Sequence, residues 1–241
     1  MLFRSTANDK KAMWIGGVLC GAALFLACNL QQIGLVYSTA GKGGFITSLY
    51  IVLVPLFGFA LGRPPRPLIW LSVLLAVAGL YLLSVTESFT IGKGDVATLF
   101  CAFFFAMQIL VVDRFASRAD CIRMTCIEFL VCGVLSLIPM FLLEEPRLSD
   151  ILSAWFYILY AGVLSGGVAY SLQMLAQKEL EPVRASLLMC LESVFAALTG
   201  WLFLSETFSM REFSGCALVF AAVLLSVLTA AKKREAIQST E

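Results

Sequence analysis

Eight stretches of about 20 mainly apolar residues run through this chain, and each is long enough to cross the hydrocarbon core of a bilayer as a helix. They fall at about 12–37, 42–62, 67–84, 93–112, 121–143, 151–175, 183–204 and 211–231. Between them stand glycine, proline and charge, as in Gly41-Lys42-Gly43, Arg63-Pro64-Pro65-Arg66-Pro67, Gly92-Lys93-Gly94-Asp95, Glu144-Glu145-Pro146 and Glu181-Pro182. Most of these connections are too short to hold a soluble domain. The apolar runs are unbroken rather than alternating, which argues against a membrane barrel of ten-residue strands. The expectation is an all-α polytopic membrane protein with eight transmembrane helices. Composition agrees: 60% of residues are hydrophobic and 14% charged, against about 45–50% and about 25% in a soluble domain.

Several function classes fall away on the same grounds. With 17 Lys+Arg against 16 Asp+Glu the net charge is +1, without the basic surplus a nucleic-acid partner needs. There is no histidine, which removes Ser–His and Cys–His nucleophile pairs and His-ligated metal sites. The eight cysteines lie in or at the ends of apolar runs without a C-x-x-C pair. They read as small packing residues rather than as a disulfide or zinc framework. No phosphate-binding glycine loop is present. The expectation is a protein that is not an enzyme and carries no cofactor and no metal.

Lys and Arg set the orientation. With the N-terminus in the cytoplasm, 13 of the 17 fall on the cytoplasmic side, leaving Lys42, Lys93, Arg147 and Arg211 on the far side. Both termini are therefore expected in the cytoplasm, residues 1–11 as an N-terminal segment and 232–241 as a tail. The first apolar run is too long for the core of a signal peptide and reads as a retained span. Trp14, Trp70, Trp155 and Trp201 fall near span ends, where interfacial tryptophans gather.

The chain also matches itself at an offset of 142 residues. Leu30-Gln31 falls on Leu172-Gln173, Leu49 on Leu191, Val52 on Val194, Leu56 on Leu198, and Leu82-Leu83-Ser84 on Leu224-Leu225-Ser226. Three consecutive spans coincide with three others. The second copy (92–231) has two helices before its trio, whereas the first (12–84) begins with the trio. The repeat unit is thus five helices, and the first unit lacks its first two. A duplicated odd-numbered unit must be inverted relative to its twin. Either the natural protein has only eight spans or the sequence starts late; Met1–Lys11 reads as a basic interhelical loop, so the expectation is that two further helices precede it.

Specific stretches carry a resemblance. Glu181-Pro182-Val183-Arg184-Ala185-Ser186-Leu187, Leu191-Glu192-Ser193-Val194-Phe195-Ala196 and Trp201-Leu202-Phe203-Leu204-Ser205-Glu206 look like the penultimate helix of EamA-type transporters, of the drug/metabolite transporter superfamily. Gly34-Leu35-Val36-Tyr37-Ser38-Thr39-Ala40-Gly41 through Pro55-Leu56, and Gly94-Asp95 opening a helix, resemble further segments of that family. The resemblance covers about 10–231 and implies two inverted five-helix repeats, of which the third to tenth helices are present. The family motif commonly has Glu-Pro where this chain has Glu192-Ser193, and losing that proline should straighten helix 183–204.

Intramembrane acids are functional candidates by default. Glu192, near the middle of its span, is the first choice for carrying a proton or pairing with a substrate amine; a hydrogen bond to a neighbouring helix is the structural alternative. Glu128 is the second, near enough the cytoplasmic face to snorkel or pair with Arg123. Tyr170, Gln173 and Gln177 share one helix face. Gln31 is the repeat mate of Gln173 and Tyr50 that of Glu192, and Gln108 is the only amide of helix 93–112. Such groups should face the bundle interior or a water-filled cavity, with interhelical hydrogen bonding as the alternative role. Gly17-x-x-x-Gly21, Gly58-x-x-x-Gly62 and Gly162-x-x-x-Gly166 read as packing motifs, and Pro55 as the bend in helix 42–62.

The resemblance implies a secondary transporter, by family habit an exporter, of small metabolites such as amino acids or related polar compounds. It would sit as a multi-pass protein in the plasma (inner) membrane and work by alternating access around a midplane cavity. Small-molecule substrate and lipid bilayer are the expected partners, with the proton as candidate coupling ion and a second copy in a homodimer as candidate subunit. The competing expectation is a truncated, non-transporting membrane protein that is an interaction module or inactive.

Overall fold

A computed structural model of the chain describes residues 9–62, 64–65, 67–84, 92–144, 146–203 and 209–238. Expectations attached to Arg4, Arg63, Arg66, Glu145 and Glu206 lie outside these residues. Among the described residues every regular element is helical, and eight helices are long and apolar enough to cross a membrane. They are α1 (Lys10–Tyr37), α2 (Gly41–Ala60), α3 (Pro67–Ser84), α4 (Lys93–Phe115), α5 (Cys121–Leu143), α6 (Trp155–Gln177), α7 (Pro182–Phe203) and α8 (Met210–Gln238). Large apolar side chains stand exposed along them, among them Leu74, Phe100, Leu130 and Phe141. A water-soluble fold does not tolerate so much exposed apolar surface, and lipid does.

Short polar side chains start several of these helices. Asp9 accepts the backbone N–H groups of Lys11 and Ala12 ahead of α1, and Asp120 accepts that of Arg123 ahead of α5. Ser209 and Glu212 bond reciprocally at the start of α8, Ser209 N–H donating to Glu212 Oε2 at 2.7 Å and Glu212 N–H to Ser209 Oγ at 3.2 Å. Two orphan donors are satisfied at once. Two boundaries depart from expectation. The span expected from 151 is preceded by a separate helical turn, Leu148–Ser153, and α6 begins at Trp155 and runs to Gln177. Its middle, Tyr160–Ala169, is wound as a π-helix. The helix of α8 continues to Gln238, past the end expected at 231.

Two spans are interrupted. α2 divides at Leu49 into Ala40–Ser48 and Tyr50–Ala60, and α7 divides at Cys190 into Pro182–Met189 and Leu191–Phe203. Both breaks share bonds to the carbonyl three residues back, and Leu49 O also accepts the Leu53 N–H at 3.2 Å. Leu49 N–H donates to Ile46 O and Val52 N–H to Leu49 O; Cys190 N–H donates to Leu187 O and Ser193 N–H to Cys190 O. Just before or at each break a side chain bonds back to the carbonyl four residues earlier, Ser48 Oγ to Gly44 O at 2.9 Å and Cys190 Sγ to Ser186 O at 3.3 Å. Such back-bonding bends helices. The interrupted residues, Leu49 and Cys190, are 141 apart, one short of the 142-residue offset of the sequence repeat. α2 is thus interrupted at Leu49, upstream of Pro55, and α7 at Cys190, three residues before Ser193.

The chain folds into two compact units, one of Met1–Asn29 and Met107–Glu181, the other of Leu30–Ala106 and Pro182–Glu241. In the first, Met13, Cys20, Val112, Cys121, Met124, Ile127 and Met174 form a buried core. Gly17 and Gly21 bring α1 directly onto α5: a Cβ on Gly17 would sit 2.7 Å from Ile127 Cβ, and one on Gly21 2.5 Å from the carbonyl oxygen of Glu128. In the second unit α3 lies against α8, with Val73, Ala76, Leu80, Val219 and Ala222 buried. Gly79 and Gly215 face each other there; a Cβ on either would stand 2.7 Å from the other's carbonyl oxygen. Gly79 also meets Val219 while Gly215 meets Leu83, so the two helices run antiparallel.

The second unit also holds a buried ion pair at the start of α4. Asp95 Oδ2 lies 2.5 Å from Lys42 Nζ and accepts the Gly92 N–H at 2.6 Å, while Oδ1 accepts Ser38 Oγ–H at 2.9 Å. One carboxylate thereby ties the end of α1, the start of α2 and the start of α4 together. Asp95→Ala leaves the Lys42 charge and two donors without this acceptor and is expected to cost about 1–3 kcal/mol. A thermal melt in detergent checks this, and an unchanged midpoint refutes the tie.

Candidate functional site

The sequence-selected polar residues divide between the two units. In the first unit, Gln108 of α4 and Glu128 of α5, twenty residues apart, are brought into contact. Gln108 Nε2 donates to Glu128 Oε1 at 2.9 Å, with both residues buried and Glu128 at 0% exposure. Glu128 Oε2 has no hydrogen-bond partner. One residue on, the ring of Phe129 meets Tyr170 of α6 edge-to-face at 5.2 Å between centroids. One turn earlier, Thr125 Oγ1 donates to Cys121 O at 3.0 Å and lies 3.4 Å from Met174 Sδ. Gln173 is half-buried and Gln177 buried on the same helix as Tyr170.

This placement corrects the expectation for Glu128. It neither snorkels nor pairs with Arg123, whose guanidinium is exposed and lies 3.8 Å from Asp120. The α5 face carrying Cys121, Met124, Thr125 and Glu128 is the buried one, and Arg123 points off it. Nearness to a helix end therefore decided nothing.

In the second unit, Gln31 Nε2 makes a long contact of 3.5 Å with Thr47 Oγ1, beside the interruption of α2. Thr47 and Ser48 are buried, as is Tyr50 just past the break, its ring tilted against Phe105 at 6.4 Å. Glu192 occupies the first turn of α7 after its own interruption and is exposed. The first-choice acid is thus not the buried one. Sequence reasoning missed Thr47, although it lies one turn before Tyr50 on the same helix and so shares its side. It also missed the Asp95–Lys42 pair, whose partners are 53 residues apart.

Among the described residues no three His, Cys, Asp or Glu side chains converge as metal ligands. All eight cysteines are free thiols, and Cys20, Cys101, Cys121, Cys190 and Cys216 are buried.

The model of the EamA-like transporter family matches residues 1–85 and 92–228. An uncharacterized transporter of Archaeoglobus fulgidus is 30% identical over 210 residues, covering 87% of this chain and 67% of that protein. A WAT1-related chloroplastic protein of Arabidopsis thaliana is 27% identical over 218 residues, covering 83% of this chain and 50% of its own length. The chain thus spans about two thirds and about half of these relatives. A solved crystal structure with 20% identity superposes at a TM-score of 0.76, over 91% of this chain and 77% of the other, which shows a shared fold. With eight membrane-spanning helices and a family match in both halves, the chain is a multi-pass membrane protein and belongs to the EamA-like transporter family.

Proposed function

We propose that the protein is a secondary transporter, not an enzyme, that exports small polar metabolites such as amino acids across the plasma membrane. Both termini lie in the cytoplasm, the proton is the coupling ion, and the working unit admits a second copy of the chain. The two parts 12–84 and 92–231 are inverted repeats, five helices in the second and three in the first. The observation that carries this reading is the pair of interruptions in α2 and α7. Discontinuous helices at corresponding positions of two repeats are where such transporters hold their substrates. The antiparallel packing of α3 on α8, helices that match at the repeat offset, supports the inversion. In this reading Glu192, exposed in the first turn after the second break, meets a substrate amine, with the Gln31 amide of the same unit as a further hydrogen-bonding group.

The test is counterflow in reconstituted vesicles with a panel of labelled amino acids and related polar compounds. Saturable exchange of at least one compound is expected. Glu192→Gln should lower it about tenfold, the loss of one charge-assisted hydrogen bond of about 1.5 kcal/mol. No exchange together with a co-purifying partner would make the protein an interaction module instead. Product formed in detergent, with no compartment boundary, would make it an enzyme.

A further inference from the structure

We propose that Glu128 is a proton-binding carboxyl, held by Gln108 and closed off from water in this conformation, and that it is the group through which transport is linked to a proton gradient. The link to transport rests on the reading above; the proton site stands on its own geometry.

An ionised carboxylate removed from water needs several donors or a cation beside it, because burying an uncompensated charge costs several kcal/mol. Glu128 has one donor, the Gln108 amide, on Oε1, and nothing on Oε2. Among the described residues no Lys or Arg is recorded against it. The titratable neighbours close enough to feel its charge are thiols, Cys20 and Cys28 from α1 and Cys132 from α5. α4 presents the neutral Gln108, and α6 presents the Tyr170 ring packed on Phe129. Nothing here compensates a negative charge. The neutral acid leaves at most one unpartnered O–H, the smaller cost.

The choice of partner matters as much as the lack of others. A lysine or arginine would hold the carboxylate charged at all times. A primary amide offers both a donor and an acceptor. Gln108 donates to Oε1 whether that atom is a carboxylate oxygen or the carbonyl of the neutral acid, so it serves both protonation states without rearrangement. Proton binding and release at Glu128 then do not require the helices to be rebuilt. They do require water, and at 0% exposure this conformation admits none. α1 packs closely on this stretch of α5, its Gly21 against the Glu128 backbone carbonyl and Val131. A proton bound in one state is exchangeable only in another, which is what coupling to a conformational cycle demands.

The experiment is infrared difference spectroscopy of the protein in lipid vesicles across a pH series, with flux driven by a pH gradient measured in the same vesicles. A carboxylic-acid C=O band should persist at neutral pH, vanish in Glu128→Gln and remain in Glu192→Gln. It should move to higher frequency in Gln108→Leu, which removes the hydrogen bond to the acid carbonyl. Glu128→Asp, which shifts the band rather than deleting it, covers a failure of Glu128→Gln to fold. Absence of a band assignable to Glu128, or a band unmoved in Gln108→Leu, overturns the proton site whatever the flux. The band with flux that ignores the pH gradient overturns the coupling role and leaves the proton site standing. Loss of the pH dependence of flux in Glu128→Gln, with the band lost as well, supports both.

Discussion

Replacing Gly79 by leucine is expected to cost about 3 kcal/mol, the upper end of overpacking in a filled interior. Its Cβ would enter 2.7 Å from Gly215 O, 2.9 Å from Val219 N and 2.8 Å from Val219 Cγ2. Two of these three atoms are backbone, so no side-chain rotation makes room. α3 and α8 must move apart along their whole contact, giving up dispersion between Val73, Ala76 and Leu80 on one side and Val219 and Ala222 on the other. The gain in helix propensity from replacing glycine returns only about 1 kcal/mol. The free thiols supply the readout, since Cys101, Cys190 and Cys216 are buried and become reactive to a maleimide dye as the protein melts. Gly133→Leu is the control, because a Cβ there meets nothing within 4 Å. Equal melting of the two variants would show that the α3–α8 contact is not close-packed.

Gly21→Leu is expected to be the second most damaging change, at about 2–3 kcal/mol. The new Cβ meets Glu128 O at 2.5 Å and Val131 Cβ at 2.7 Å, so α1 is levered off α5. A local effect distinguishes this from general destabilisation. Cys20, adjacent in sequence and fully buried, should label faster in the folded variant, well below the melting temperature. If the labelling of Cys20 rises only together with global unfolding, the two helices are not held at this point.

The spans were legible because length and hydropathy decide them directly; every expected run has a helix over its apolar centre. The interruptions were not. Proline is the visible signal for a bend, yet Pro55 lies past the break in α2, and α7 breaks without a proline inside it. Side chains turned back onto their own helix stand at both sites, but Ser72, Thr98 and Thr125 bond back in the same way inside unbroken helices, so no letter marks the break. Glycine motifs were read with mixed success. Gly17 and Gly21 do face another helix, whereas Gly162 faces open space, and the isolated Gly79 and Gly215 make one of the closest contacts in the chain. A local motif cannot reveal a glycine whose partner is 136 residues away. The ranking of the acids failed for a related reason. Position along a span says how deep a residue lies, but not which side of the helix it is on, and that set Glu128 against Gln108 while leaving Glu192 exposed.

The division of the chain between its units has a consequence for biosynthesis. The first unit has all its residues once Glu181 is made, and the second only after the last helix emerges. When Ala106 leaves the ribosome, α1 to α3 and half of α4 exist, yet neither unit can close. α2 and α3, in contact through the rings of Phe45 and Tyr81, wait in the lipid for the rest of their unit, which their satisfied backbones and apolar surfaces permit. The residues that meet at Glu128 are therefore all made before those of the seam between α3 and α8. A stop codon even at residue 209 leaves Gly79 facing lipid with no helix to receive it, so α8 completes a unit whose first residue, Leu30, lies 180 residues before Met210.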